Sequence, residues 1–210
     1  MTVWIVGATG LVGRATLRGL LADGRSDVLA VVRRTTGLTH PRLTERIVDF
    51  EALESELAAL SGRIAICALG STIKQAGSQA QFRHIDHDYA LSFARASLAA
   101  GVRHFMVVTA LGADAHSAVF YNRVKGELEQ ALAAMPFSAL TIVRPSLLIG
   151  EREKSRLGER LMGPFSRLLP RSVRGIEGET VARALVRLAH EPATRGKRIV
   201  PSAELHELGA

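Results

Sequence analysis

The sequence predicts an α/β protein built on a doubly wound parallel sheet, and three observations carry the prediction. Short runs of β-branched and other apolar residues recur along the chain, each separated from the next by a longer helical segment. These runs read apolar throughout instead of alternating, as strands do when helices cover both faces. A glycine-rich turn joins the first run to the first helix. Repeated β-α units of this kind close into a parallel sheet flanked by helices. The length of 210 residues suits one sizeable core and is short for two, so residues 1–210 read as a single domain.

Val3-Trp4-Ile5-Val6 is the first strand, and Leu11–Ala22 follows as a helix with apolar residues at helical spacing. Val28–Val32 is the second strand and stops at Arg33-Arg34. A third strand lies around Arg46-Ile47-Val48, closed by Asp49, with a helix from about Glu51 to Leu60. Ile64–Cys67 is the fourth strand, and Gly70–Ser78 is a Gly/Ser-rich loop. A long helix runs from about Gln79 to Ala100, and Phe105–Val108 is the fifth strand. Tyr121–Ala134 is helical and Leu140–Val143 is the sixth strand. After Arg144-Pro145 the character changes: Glu151–Arg160 is charged, and Gly163-Pro164 and Pro170 punctuate the chain beyond it. One more helix falls near Thr180–His190. The stretch over about 145–180 reads as a small C-terminal, substrate-side segment, too short to be an independent domain.

Composition narrows the function. A hydrophobic fraction of 47% excludes a disordered chain. No apolar stretch reaches the roughly 18 residues of a membrane helix, since Arg103 and Arg144 interrupt the two best candidates. The first residues lack the pattern of a secretion leader. The single cysteine, Cys67, cannot form an internal disulfide, and the expected setting is reducing and cytoplasmic. The 27 basic residues against 20 acidic ones give a formal net charge of +7. Nucleic acid as a main partner is disfavoured, because the arginines are dispersed and aromatics are only 5%. A small polyanionic ligand on an arginine-rich surface fits the same charge.

The turn Gly7-Ala8-Thr9-Gly10-Leu11-Val12-Gly13 lies between the first strand and the first helix. Gly7 permits the tight turn, Gly10 lets a pyrophosphate approach the backbone, and Gly13 lets the helix pack on the strand. Free N–H groups at the helix start favour the phosphates. Selectivity for NAD usually rests on an acid about 20 residues beyond the glycines. Here Arg33 and Arg34 stand at that place, and a guanidinium fork suits a 2′-phosphate, which favours NADP(H). The plainer alternative is two solvated arginines after a strand. Asp49 is placed to accept from an adenine amino group, with a helix N-cap as its competing role.

Tyr121 and Lys125 are four residues apart and share a helical face. An isolated phenol titrates near pH ~10, so acid/base work near neutrality needs a depression of about 3 units, on the order of 4 kcal/mol. A neighbouring ammonium supplies part of it. The other tyrosine, Tyr89, has Phe93 in the lysine's place. The alternative for Tyr121 is simple packing.

Together these residues resemble the short-chain dehydrogenase/reductase superfamily, in the atypical branch similar to the Tat-interacting-protein oxidoreductases. The resemblance runs over most of the chain. It rests on Gly7–Gly13, Cys67-Ala68-Leu69-Gly70-Ser71-Thr72, Ile85-Asp86-His87-Asp88-Tyr89, Gly112-Ala113-Asp114, Tyr121–Lys125, Gly126-Glu127 and Arg144-Pro145-Ser146-Leu147-Leu148-Ile149-Gly150. It implies a Rossmann fold, NADP(H), a Tyr121/Lys125 pair, and a hydroxyl partner from the segment after the fifth strand, where Thr109 is the candidate. It further implies a cofactor lining of Gly7, Thr9, Gly10, Leu11, Val12, Gly13, Arg33, Arg34, Asp49, Phe50, Ala68, Leu69, Gly70, Thr72, Lys125, Pro145 and Leu148. In many relatives the hydroxyl falls one or two positions later, where this chain has Ala110 and Leu111; Ser117 is an outside candidate.

Other signals take plainer readings. His84, Asp86, His87 and Asp88 lack familiar metal-ligand spacing and read as a polar helix face, so no metal is expected. Cys67 reads as a small buried hydrophobe. No Gly-x-Ser-x-Gly elbow is present, which disfavours serine hydrolysis. Two functions stand: an NADP(H)-dependent oxidoreductase acting on a carbonyl or alcohol of a small molecule, and a non-catalytic NADPH-binding regulator. The Gln79 and Tyr121 helices leave room for a homodimer.

Overall fold

The computed structural model describes residues 1–58, 60–149 and 174–210. The expectations for Glu151–Arg160, Gly163-Pro164 and Pro170 lie outside the described residues, as does most of the substrate-side segment. Seven strands form one sheet: β1 (Thr2–Val6), β2 (Asp27–Val32), β3 (Leu43–Ile47), β4 (Ile64–Cys67), β5 (His104–Val108), β6 (Ala139–Arg144) and, past a small pair, β9 (Gly196–Pro201). Their order is β3-β2-β1-β4-β5-β6-β9, and every neighbouring pair is parallel. The order reverses between β1 and β4, and at such a switch point the loops splay apart to leave a crevice at the carboxyl ends of the strands.

The uniformly apolar strands divide their side chains between two cores. In β1, Val3 and Ile5 join α1 (Leu11–Ala22) through Leu17 and Leu20, whereas Trp4 and Val6 face the opposite layer. The first layer is completed by α7 (Gly178–His190) and α8 (Ser202–Leu208), through Val181, Leu185 and Leu205. The second contains α2 (Leu53–Leu57), α5 (Tyr89–Ala99) and α6 (Phe120–Ala133), through Leu57, Phe93 and Leu128. Burial on both faces is why these strands show no alternation in the sequence.

Several elements differ from expectation. The third strand is Leu43–Ile47 instead of centring on Arg46–Val48, and it sits at the sheet edge, where its outer residues stay polar. The loop over Gly70–Ser78 contains one helical turn, α3 (Ile73–Ala76), begun by a capping box between Thr72 and Gln75. The long helix is real but compound: α4 (Gln79–Arg83) passes through a π-turn at His84–Asp88 into α5. The opposite edge strand β9 is an addition to the expected elements, because Gly196-Lys197-Arg198 carries no apolar run. A second addition is the parallel pair β7 (Leu148–Ile149) and β8 (Ile176–Glu177), whose strands have two residues each.

Candidate functional site

The turn after β1 leaves no room for side chains. Gly7 has φ of +81°, and a Cβ there would stand 2.4 Å from the Ala68 carbonyl oxygen. A Cβ on Gly13 would stand 2.1 Å from the Gly7 carbonyl oxygen, so α1 can meet the turn only through glycine. The Gly10 N–H donates to that carbonyl at 2.9 Å, and Thr9, Gly10 and Leu11 face outward. Helix α1 has no side-chain cap and no acid in its first turn. Its opening N–H groups, including those of Val12 and Gly13, are left for an external acceptor. The turn fits a dinucleotide's pyrophosphate.

Arg33 and Arg34 lie exposed just past β2, and among the described residues neither pairs with a carboxylate. The Arg33 guanidinium sits over the Phe50 ring at 5.6 Å. Phe50 is itself 5% exposed, so its ring supports Arg33 from below instead of offering an open face. Asp49 Oδ1 accepts from the Glu51 N–H at 3.1 Å, the capping role that competed with its adenine contact. Thr72 Oγ1 accepts from the Gln75 N–H as the cap of α3. Ala68 and Leu69 press against Gly7, and Gly70 abuts the Asp86 carboxylate. Pro145 is buried and accepts from the Leu111 N–H at 2.8 Å, while Leu148 is half-buried on β7. The loops after β1, β2, β4, β5 and β6 thus share the carboxyl edge of the sheet.

Tyr121 stands in the first turn of α6, with its ring 5.3 Å from that of Phe82. Its hydroxyl makes no hydrogen bond among the described residues. Lys125, one turn further, is buried, and its Nζ meets Asp86 Oδ1 at 2.7 Å. Asp86 Oδ2 accepts from the Ser71 N–H at 2.9 Å and from its hydroxyl at 2.7 Å. Burial works against the Lys125 charge, but the negative charges of Asp86 and an ionised Tyr121 outweigh it and raise the ammonium above its ordinary range. Asp86 is therefore no part of a polar helix face. The sequence held one signal: Asp86 follows Phe82 by four residues and precedes Ala90 by four, and both neighbours are buried.

Thr109 corrects an expectation. The residue is 4% exposed and its hydroxyl donates to Glu129 Oε1 at 2.6 Å, so its proton is committed inside the protein and not offered to a substrate oxygen. Glu129 also binds Arg144, and the carboxylate draws Thr109 toward α6. The outside candidate, Ser117, accepts from the Val119 N–H at 3.2 Å at the approach to α6. A cleft of about 1310 Å³ opens beside Thr9 and Gly10 and runs between α1 and α7 along Arg14, Arg18, Arg183 and Arg187. Neither Tyr121 nor Lys125 lines it, so the chemistry is located by the side-chain pair and not by this cleft. Burial pushes the Cys67 thiol up to about 11. Among the described residues no group of three or more His, Cys, Asp or Glu is placed to hold a metal.

Comparison with known proteins agrees with this geometry. A family model described as NAD(P)H-binding matches residues 7–192. Protein HTATIP2 of Rattus norvegicus is 31% identical over 216 residues, covering 99% of this chain and 89% of its own. Protein FMP52-1, mitochondrial, of Scheffersomyces stipitis is 34% identical over 223 residues, covering 99% and 97%. Among solved structures, an oxidoreductase of the short-chain dehydrogenase/reductase family from Burkholderia thailandensis superposes with a TM-score of 0.73 at 19% identity, covering 97% of this chain and 92% of its own. The mitochondrial names of the fungal relatives overturn the expectation of a cytoplasmic setting. A lone cysteine excludes an internal disulfide but does not tell one compartment from another. No helix among the described residues is long and apolar enough to cross a membrane. With a glycine turn built for a pyrophosphate, a seven-stranded parallel sheet and these relatives, the chain belongs to the NAD(P)H-binding family.

Proposed function

We propose that the protein is an NADP(H)-dependent oxidoreductase that interconverts a carbonyl and an alcohol on a small-molecule substrate. The observation that carries the reading is the Tyr121 hydroxyl, unpartnered among the described residues and one helical turn from the buried, charged Lys125. Bound nicotinamide supplies or accepts the hydride. Tyr121 Oη gives a proton to the carbonyl oxygen in reduction and takes it back in oxidation. Lys125 stabilises the phenolate by its charge and has N–H groups left to bind the nicotinamide ribose. Gly7, Thr9, Gly10, Leu11, Val12 and Gly13 hold the pyrophosphate, and Ala68, Leu69, Gly70, Thr72, Pro145 and Leu148 line the crevice beyond. Arg33 and Arg34, lacking carboxylate partners among the described residues, favour a 2′-phosphate and so NADP(H). Asp49 and Phe50 complete the adenosine end.

One observation favours a second reading. The hydroxyl of Thr109 is committed to Glu129, and Ala110 and Leu111 have none, as suits a cofactor-binding regulator without turnover. Measuring NADPH oxidation over a panel of aldehydes and ketones, with Tyr121→Phe alongside, separates the two. We expect turnover that falls about 100-fold or more in the variant, a general acid's contribution, while NADPH still raises its Tm. Absence of turnover across the panel, or an unaltered rate in Tyr121→Phe, overturns the oxidoreductase reading.

A further inference from the structure

We propose that Asp86 is a positioning residue: the built-in counter-ion that keeps the Lys125 ammonium charged and aimed inside a dry site. The inference deepens the oxidoreductase reading and rests on its Tyr121/Lys125 pair, but it concerns a property of Lys125 that can be measured without turnover.

The side chains of Asp86 and Lys125 are 0% and 3% exposed. The Arg46–Glu56, Arg95–Glu54 and Arg187–Glu191 pairs all keep more than a third of each side chain in water. Exposed pairs of that sort contribute little, whereas removing one member of a buried pair strands the other. A buried carboxylate is tolerated when its remaining lone pairs are filled, and Ser71 fills those of Asp86 twice, from backbone and hydroxyl. Asp86 thereby joins three segments: the loop after β4, its own π-turn and α6. The extra residue of a π-turn shifts the helical register locally, and such turns recur at functional sites. Here it coincides with the one carboxylate set among Phe82, Ala90 and Phe93 on the buried side of the helix.

Three titratable groups act on Lys125: Asp86 from the π-turn, Tyr121 from its own helix, and Cys67 from the end of β4. Tyr121 is neutral while it holds its proton, and the Cys67 thiol, titrating at about 11, is neutral near pH ~7. Asp86 is then the resident anion of the three. Without it, burial acts on the ammonium unopposed, and a buried lysine in that condition can titrate as low as about 5–6. A neutral amine would no longer stabilise the Tyr121 phenolate.

The chain has four lysines, Lys74, Lys125, Lys154 and Lys197, so lysine labelled with ¹³C at Cε gives a resolvable NMR titration. Lys125→Arg identifies the signal. In the natural protein we expect Lys125 to stay protonated beyond the ordinary lysine value of about 10.4. In Asp86→Asn we expect it to titrate at least ~2 units below the other three, with NADPH affinity falling about 10-fold as Lys125 loses its proton. Asp86→Glu should restore part of the shift. Titration of Lys125 at or below the other lysines in the natural protein overturns the proposal, whether or not Asp86→Asn folds. A folded Asp86→Asn with Lys125 unchanged overturns it equally. The expected titration in a protein without turnover would sink the oxidoreductase reading and support the counter-ion assignment.

Discussion

Thr109 donates its hydroxyl proton to Glu129 at 2.6 Å, and Glu129 in turn binds Arg144, so the ends of β5 and β6 are tied together through α6. Thr109→Val keeps the shape and removes one hydrogen bond to a buried carboxylate, a loss of about 1.5–3 kcal/mol. Glu129 keeps Arg144, so its charge is not stranded. Urea unfolding should show that loss, while NADPH-dependent turnover stays within about 2-fold, since the bond lies outside the reacting atoms. A fall of ~100-fold in kcat at unchanged stability would return Thr109 to the substrate oxygen.

Much of this architecture is legible in the sequence, for identifiable reasons. Val3–Val6 and Ile64–Cys67 are buried on both faces, and burial leaves an apolar run that can be read directly. The edge strands β3 and β9 are only partly covered, so hydrophobic pattern misplaces Leu43–Ile47 and gives no sign of Gly196–Pro201. The glycine turn is readable because backbone crowding at Gly7 and Gly13 admits only one residue type. Spacing also brings Tyr121 and Lys125 onto one helical face. What spacing does not show is the partner of each polar group: Thr109 turns to Glu129, 20 residues away, and Lys125 to Asp86, on a different helical segment. Such pairings are set by how the helices stack on the sheet, which one strand or helix does not encode alone.

Arg33 and Arg34 are free of carboxylates among the described residues, so their charge is available to a ligand. Replacing both with serine should weaken NADPH binding by about 10- to 100-fold, or roughly 1.4–2.8 kcal/mol, and leave NADH nearly unchanged. Fluorescence titrations with both nucleotides check this. The preference should also shrink as salt is raised, because exposed charges are screened. Equal losses for both nucleotides would mean that the arginines shape the site without reading the 2′-phosphate.

Cys67 ends β4 fully enclosed, and burial holds its thiol near 11. Thiolate is the reactive form, so the native protein should be inert to a disulfide reagent at pH ~8. One equivalent should react on unfolding in denaturant. Rapid labelling of the folded protein would place Cys67 in the crevice instead of the core.

His104 opens β5, where its Nε2 lies 2.8 Å from Thr141 Oγ1 and its Nδ1 has no partner among the described residues. Burial lowers its pKa to about 4, against 6.5 for the free side chain. Between those values the unfolded chain binds the proton and the folded one does not. Stability from this group is therefore complete above pH ~6.5 and is lost as pH falls toward ~4, by roughly 3 kcal/mol. Carboxylates held low in the fold, such as Glu45, weaken the protein in the same direction, so the group must be isolated by difference. In the double variant His104→Leu/Thr141→Val the site cannot titrate and no polar atom is stranded. Urea midpoints from pH 7 to 4 should decline more steeply in the natural protein than in the variant. Parallel slopes would show that His104 takes up its proton without unfolding, through a path from solvent to Nδ1.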